Sequence, residues 1–246
     1  MRTLMASILC LVVFYGVARA ADDIRKEEVH FKKGESGTTI TGKVKGRQAV
    51  DYQLRAGAGQ TLAVTFKPSN LSAYFNVLPP GSHDVAIFVG STFGNLFENV
   101  LPTDGVYTLR VYLMRSAARR NESSDYKLVI SIKGKPLEPL PVSMDATLPG
   151  SPYHASASVP CVPPYTYDSK GQVCEAFAIR RGFDGTATVE IRPSSGFKRS
   201  ILFVGGKPVA SDSQDPLTFT RKDDFTIVTF GDTERYEIPD ALITGG

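Results

Sequence analysis

The stretch "VYLMRSAARRNESSDYKL", residues 111–128, sets three arginines, Arg115, Arg119 and Arg120, on small spacers between two strand-like runs. A loop that only reverses the chain is served by Gly, Asn, Asp or Pro. Guanidinium groups separated by Ala and Ser suit other chemistry: a charge-assisted contact with a carboxylate, bidentate where the two planes align. If the segment makes one helical turn, Arg115 and Arg119 fall on one side, four residues apart. The residues alone leave two readings, a solvated turn neutralised by Glu122 and Asp125, or a prong shaped to enter something acidic.

Signals for catalysis are sparse by comparison. His30, His83 and His154 are far apart, and none sits in a metal-binding spacing such as H-E-x-x-H. The chain has no G-x-S-x-G elbow, no P-loop and no dinucleotide fingerprint. No catalytic residue, metal or cofactor is therefore assigned, and the chain reads as a binding protein, not an enzyme. Of three cysteines, Cys10 lies in the N-terminal apolar stretch. Cys161 and Cys174 form an even pair for which a disulfide is expected if the protein is exported.

Export is expected from residues 1–20. Arg2 is followed by an apolar run over residues 4–17, and Ala18-Arg19-Ala20 supplies the small residues of a cleavage site. The run is too short and wrongly flanked to persist as a span, and no other segment approaches a membrane-spanning length, so no stable membrane insertion is expected after cleavage. Loss of residues 1–20 removes Arg2 and Arg19 and no acid, taking the net charge from +3 to +1. So balanced a chain lacks the basic excess that nucleic-acid binding draws on.

The elements that must position the arginines read as strands. Residues 29–33, 38–44, 49–55, 60–67, 73–78, 85–89, 105–114 and 126–132 alternate apolar with polar or are rich in β-branched residues. "AGAG" between the third and fourth suits a hairpin. In residues 105–114 Tyr107, Leu109, Val111 and Leu113 share the core face, leaving Arg110, Tyr112 and Met114 outward. In residues 73–78 the same rule turns Tyr74 and Asn76 outward. Residues 133–152 then hold five prolines and read as an extended linker. Beyond it strands at 174–181, 186–192, 200–204, 207–210, 217–221, 225–230 and 234–238 form a meander, with Gly205-Gly206 as a hairpin turn. The expected fold is all-β: an antiparallel β-sandwich over residues 21–134, a Pro-rich linker at 135–150, and a smaller antiparallel β domain with one disulfide over 151–246.

Residues 104–133, "DGVYTLRVYLMRSAARRNESSDYKLVISIK", resemble the bacterial periplasmic inhibitors of g-type (goose-type) lysozyme. They carry a G-x-Y-x-L-R-V run, an arginine, an Ala-Arg pair four residues on, and a closing Y-x-x-x-I strand. Upstream, a lysine-rich strand and Y-x-x-x-A-x-x-G-Q at residues 52–60 are similar to the family's opening, and Tyr74-Phe75 match an aromatic position before a Pro-Gly turn. The resemblance covers residues 27–133, with departures in 75–105. The strand-and-G-Q pattern is also similar to pre-peptidase C-terminal β-sandwich modules, which mostly bind. The inhibitor family implies a periplasmic or secreted protein whose partner is a g-type lysozyme. Arg115, Arg119 and Arg120 would enter its cleft, with Tyr74 and Asn76 near the rim. The second resemblance implies a non-catalytic envelope module that binds peptidoglycan, another polysaccharide or a protein.

Overall fold

The computed structural model describes residues 24–164 and 171–245. The expected signal peptide lies outside them. The N-terminal half is built of β1 (Ile24–Glu28), β2 (Gly37–Lys45), β3 (Ala49–Ala56), β4 (Thr61–Pro68), β5 (Ala73–Leu78), β6 (Phe88–Val89), α1 (Gly90–Phe93), β7 (Leu96–Val100), β8 (Gly105–Leu113), α2 (Arg115–Arg119) and β9 (Ser123–Lys133). The strands form two sheets, ordered β1-β3-β8-β5-β6 and β2-β9-β4-β7. Period-2 alternation places Tyr107, Leu109, Val111 and Leu113 of β8 inward, as expected, opposite Leu128 and Ile130 of β9 in a shared core. Aromatic packing of Phe66 on Phe75, 5.7 Å between centroids, bridges the sheets. A 2.8 Å hydrogen bond between the Tyr52 and Tyr126 hydroxyls does the same.

The C-terminal half is all-β too: β10 (Ala155–Val162), β11 (Gln172–Arg180), β12 (Ala187–Arg192), β13 (Arg199–Val204), β14 (Lys207–Ser211), β15 (Leu217–Lys222), β16 (Phe225–Phe230), β17 (Glu234–Pro239) and a closing helix, α3 (Asp240–Thr244). Its eight strands make one antiparallel sheet ordered β14-β13-β12-β11-β10-β17-β16-β15. The two edge strands are consecutive in the chain, so the sheet curls back on itself. Leu242 and Ile243 of α3 pack into its core. Cys161 and Cys174 form a disulfide between neighbouring strands β10 and β11, closing a 13-residue separation. A loop of that size contributes about 3 kcal/mol in the chain-entropy model.

Four local expectations change. β3 and β4 are not a hairpin: β3 pairs with β1 and β8, β4 with β7 and β9, and residues 57–60 carry the chain from one sheet to the other. Turn residues mark where a chain bends but not which strand it meets, and Ala58, fully buried, is fixed by tertiary packing. The sandwich is not wholly antiparallel, because β1 runs parallel to β3; the intervening β2 lies in the other sheet and makes that crossover. The strand expected at 29–33 sits earlier, at β1. β7, β10 and α3 have no counterpart in the sequence reading.

The Pro-rich segment is docked on both halves. The Leu137 amide donates to the Ala58 carbonyl and the Leu140 amide to the Arg180 carbonyl, each at 2.8 Å. Arg181 ties the seam with one guanidinium, bonding Asp104 Oδ2 at 2.7 Å, Thr188 Oγ1 at 3.0 Å and the Leu137 carbonyl. Leu202 and Ala210 pack with Ala58, joined by Val100 and Leu137. These contacts gather where β3 ends and β8 begins. From there β8 runs nine residues, about 30 Å at strand rise, to α2 at the far end of the sandwich.

Candidate protein-binding site

At that far end the segment after β8 takes the single helical turn that its spacing allows. The Ala118 amide donates to the Met114 carbonyl at 2.9 Å, and the Met114 amide to the Ser72 carbonyl at 2.8 Å. Ala117 is fully buried in the sandwich core and Ala118 packs beside it. The small residues are therefore the root of the turn, and their burial directs Arg115 and Arg119 outward. Both are exposed, and neither has an ion-pair partner among the described residues.

The base of the turn is fixed by polar contacts. Glu122 accepts from Asn70 Nδ2 at 2.9 Å and from Arg120 Nε at 2.6 Å. The Asn70 hydrogen bond, then Arg120, hold its carboxyl below the usual glutamate range. The Gly46 amide donates to the Glu122 carbonyl at 2.8 Å. Gly46 has φ of +57°, and a Cβ there would fall 2.8 Å from Asn121 Oδ1, so this close approach of the β2–β3 turn suits glycine. The two readings of the arginine segment thus divide by residue. Arg120 is neutralised by Glu122, Asp125 pairs with Lys43 at 3.7 Å, and Arg115 and Arg119 project free.

Arg115 and Arg119 line one side of a recess of about 680 Å³ with Arg47, Arg110, Tyr112 and Met114. Strands β5 and β8 are neighbours, which places Tyr74 beside Tyr112 and Asn76 beside Arg110 on the outer face of the five-stranded sheet. Asn76 Oδ1 accepts from the Tyr112 hydroxyl at 3.2 Å and from the Gly90 amide at 3.3 Å, so it orders the face. Arg110 forms a bidentate pair with the buried Asp51, at 2.7 and 2.9 Å, and donates to the His83 carbonyl at 3.2 Å. Burial of Asp51 and its paired partner make Arg110 a fixed floor. Tyr74 lies on the same face but does not line the recess. Sequence reasoning missed Arg47; its place in the "KGRQ" turn gave no sign that Gly46 packs against the α2 base.

No metal site accompanies this face: among the described residues no group of three or more His, Cys, Asp or Glu side chains is placed to hold an ion. His154 is buried and structural, with Nδ1 accepting from the Arg180 amide at 3.0 Å and Nε2 3.1 Å from the Leu140 carbonyl. No described helix is long and apolar enough to cross a membrane.

No protein-family model matches the chain. Over 134 residues it is 27% identical to the inhibitor of g-type lysozyme of Escherichia coli (strain K12), a match spanning 54% of this chain and 98% of that protein. Among solved structures, Aeromonas hydrophila PliG, a periplasmic lysozyme inhibitor of g-type lysozyme, is 34% identical over 46% of this chain and 100% of its own, with a TM-score of 0.43. Salmonella Typhimurium PliG, of the same description, is 30% identical over 44% of this chain and 98% of its own, with a TM-score of 0.36. These relatives are inhibitors, proteins that bind rather than catalyse. The similarity runs along nearly the whole length of these relatives but only about half of this chain, which over that half is similar to the periplasmic inhibitors of g-type lysozyme.

Proposed function

We propose that this protein is exported to the periplasm or beyond and inhibits a g-type lysozyme by placing Arg115 and Arg119 in the enzyme's cleft. The observation that carries the reading is a pair of unpaired guanidinium groups on one side of a turn rooted in the core through Ala117. A glycoside hydrolase of this kind needs a protonated carboxylic acid beside the scissile bond. An arginine brought to that acid favours its ionised form, lowers its pKa and so removes the proton that catalysis requires. The same contact is charge-assisted, bidentate where planes align, and occupies the space of the sugar. The root of the turn is ordered before binding, so little conformational entropy is lost on docking. Met114 and Tyr112 supply apolar and aromatic contact around the charged tip, the composition found at interface centres. No cofactor enters this mechanism.

The test uses the full mature chain. Lysis of a cell-wall substrate by a g-type lysozyme is measured with increasing inhibitor, wild type against R115A/R119A. An inhibition constant unchanged by the double substitution removes the proposal.

A further inference from the structure

The four-stranded sheet carries a second cationic surface that the lysozyme reading does not use. Lys127 of β9 stands in direct register with Lys67 of β4 on one side and Thr41 of β2 on the other. Lys43 lies one row nearer the α2 end of the same outward face. All three lysines are exposed, and they border an open recess of about 670 Å³. Gly42, Pro68 and Tyr126 share the next register row and turn their side chains to the inner face, where a Cβ at Gly42 would meet the Tyr126 ring.

This arrangement costs stability and has no structural beneficiary. Like charges directly opposite one another on a sheet repel. Lysines do guard exposed sheet edges, but in the order β2-β9-β4-β7 the strands that carry Lys127 and Lys67 are the central two. Two acids share the face. Asp125 lies 3.7 Å from Lys43, with both side chains more than half exposed, and Glu98 lies 3.8 Å from Lys133 toward the seam. Neither neutralises Lys67 or Lys127, which have no ion-pair partner among the described residues.

We propose that this face binds a linear polyanion, a polymer chain bearing repeated phosphate or carboxylate groups, through Lys43, Lys67 and Lys127. Neighbouring strands are about 4.8 Å apart and a residue rises about 3.4 Å, so the Lys67 and Lys127 backbones stand about 5 Å apart, with Lys43 about 8 Å from Lys127 and about 12 Å from Lys67, a spacing matched by a polymer charged at every unit or every second unit. The recess is open along the sheet, which admits a chain passing through. The lysine row offers the Thr41 hydroxyl as its third member, while the next row of the face exposes Val129 and Leu96, so the vesicle arm of the test separates a polymer from a bilayer. The mature chain is nearly neutral overall, so attraction arises from this local asymmetry and is sensitive to salt.

The experiment measures binding of the labelled full mature protein to alginate, to inorganic polyphosphate and to phosphatidylglycerol vesicles across a salt series. The inference expects binding to at least one polymer. For three neutralised charges, affinity falls roughly 100-fold for a tenfold rise in salt. K43Q/K67Q/K127Q is expected to lose about tenfold or more in affinity at low salt while keeping or raising its melting temperature and keeping its lysozyme inhibition, and R115A/R119A to bind the polymer as wild type does. Preference for alginate assigns carboxylate and preference for polyphosphate assigns phosphate; both support the inference. No polymer binding, an unaffected lysine variant, equal loss in the arginine variant, or tighter binding to vesicles than to either polymer overturns it. The inference does not rest on lysozyme inhibition, and each can fail without the other.

Discussion

At the α2 tip of the sandwich, Arg115 and Arg119 are exposed and have no counter-ion among the described residues. In the curled C-terminal sheet Arg199 is 5% exposed, with Nε and Nη2 on Glu234 at 2.6 and 2.9 Å and Nη1 on Asp212 at 3.0 Å. Its guanidinium also lies 4.8 Å from the Phe197 ring centroid and 5.1 Å from that of Phe230. Burial pushes the Asp212 carboxyl upward, opposed by Arg199. The same side chain thus has its hydrogen-bonding capacity spent inside one half and left available on the other. That distinction, not the presence of arginine, separates a structural cation from a candidate recognition group.

The sharpest way to break the comparison is to remove a cation from each half. Arg199→Ala leaves Asp212 and Glu234 buried without their partner and is expected to lower stability by about 3–5 kcal/mol, read by chemical denaturation. Replacing Cys161 and Cys174 by alanine is expected to cost about 3 kcal/mol, again seen as an earlier unfolding midpoint. R115A/R119A is expected to weaken lysozyme binding by about tenfold or more, since interface arginines commonly contribute above 1 kcal/mol each, with the melting temperature unmoved. Loss of stability in that variant would place the two arginines with Arg199 and erase the contrast.

The smallest effect concerns Glu122. Because its carboxyl is held below the ordinary value of 4.5 in the folded protein, its stabilising contribution is complete above that pH. It is lost as pH falls through the lowered value. A melting-temperature advantage of wild type over E122Q at neutral pH should therefore shrink in acid, as the pH falls below 4.5 and through the lowered value. An advantage that persists in acid would show that the Asn70 and Arg120 contacts do not depend on ionisation.

The sequence displayed the features governed by local rules. Alternation in β8 named its buried and exposed faces, and the spacing of Arg115 and Arg119 anticipated their shared side. What it hid depends on partners distant in the chain. Residues 57–60 look like a hairpin loop because Ala and Gly say nothing about Leu137 and Leu202 closing over them. Arg110 reads as a free outward cation until Asp51, on β3, is found beside it. Arg47 looks like a turn residue until the Gly46 turn is seen to support α2. Strand β10, "ASASVPCV", was missed because its small residues carry little hydrophobic contrast, although Val159 and Cys161 alternate inward.

The length of β8 carries a practical consequence. One end of this strand is clamped to the C-terminal half through Asp104 and Arg181, and the other bears the arginines. A strut of about 30 Å thus keeps the added mass clear of the arginine-bearing turn. Anchoring the protein to a bead or a fusion partner through its last residues should leave the arginine-bearing end facing outward, whereas a graft onto the β8–β9 connection should bury it.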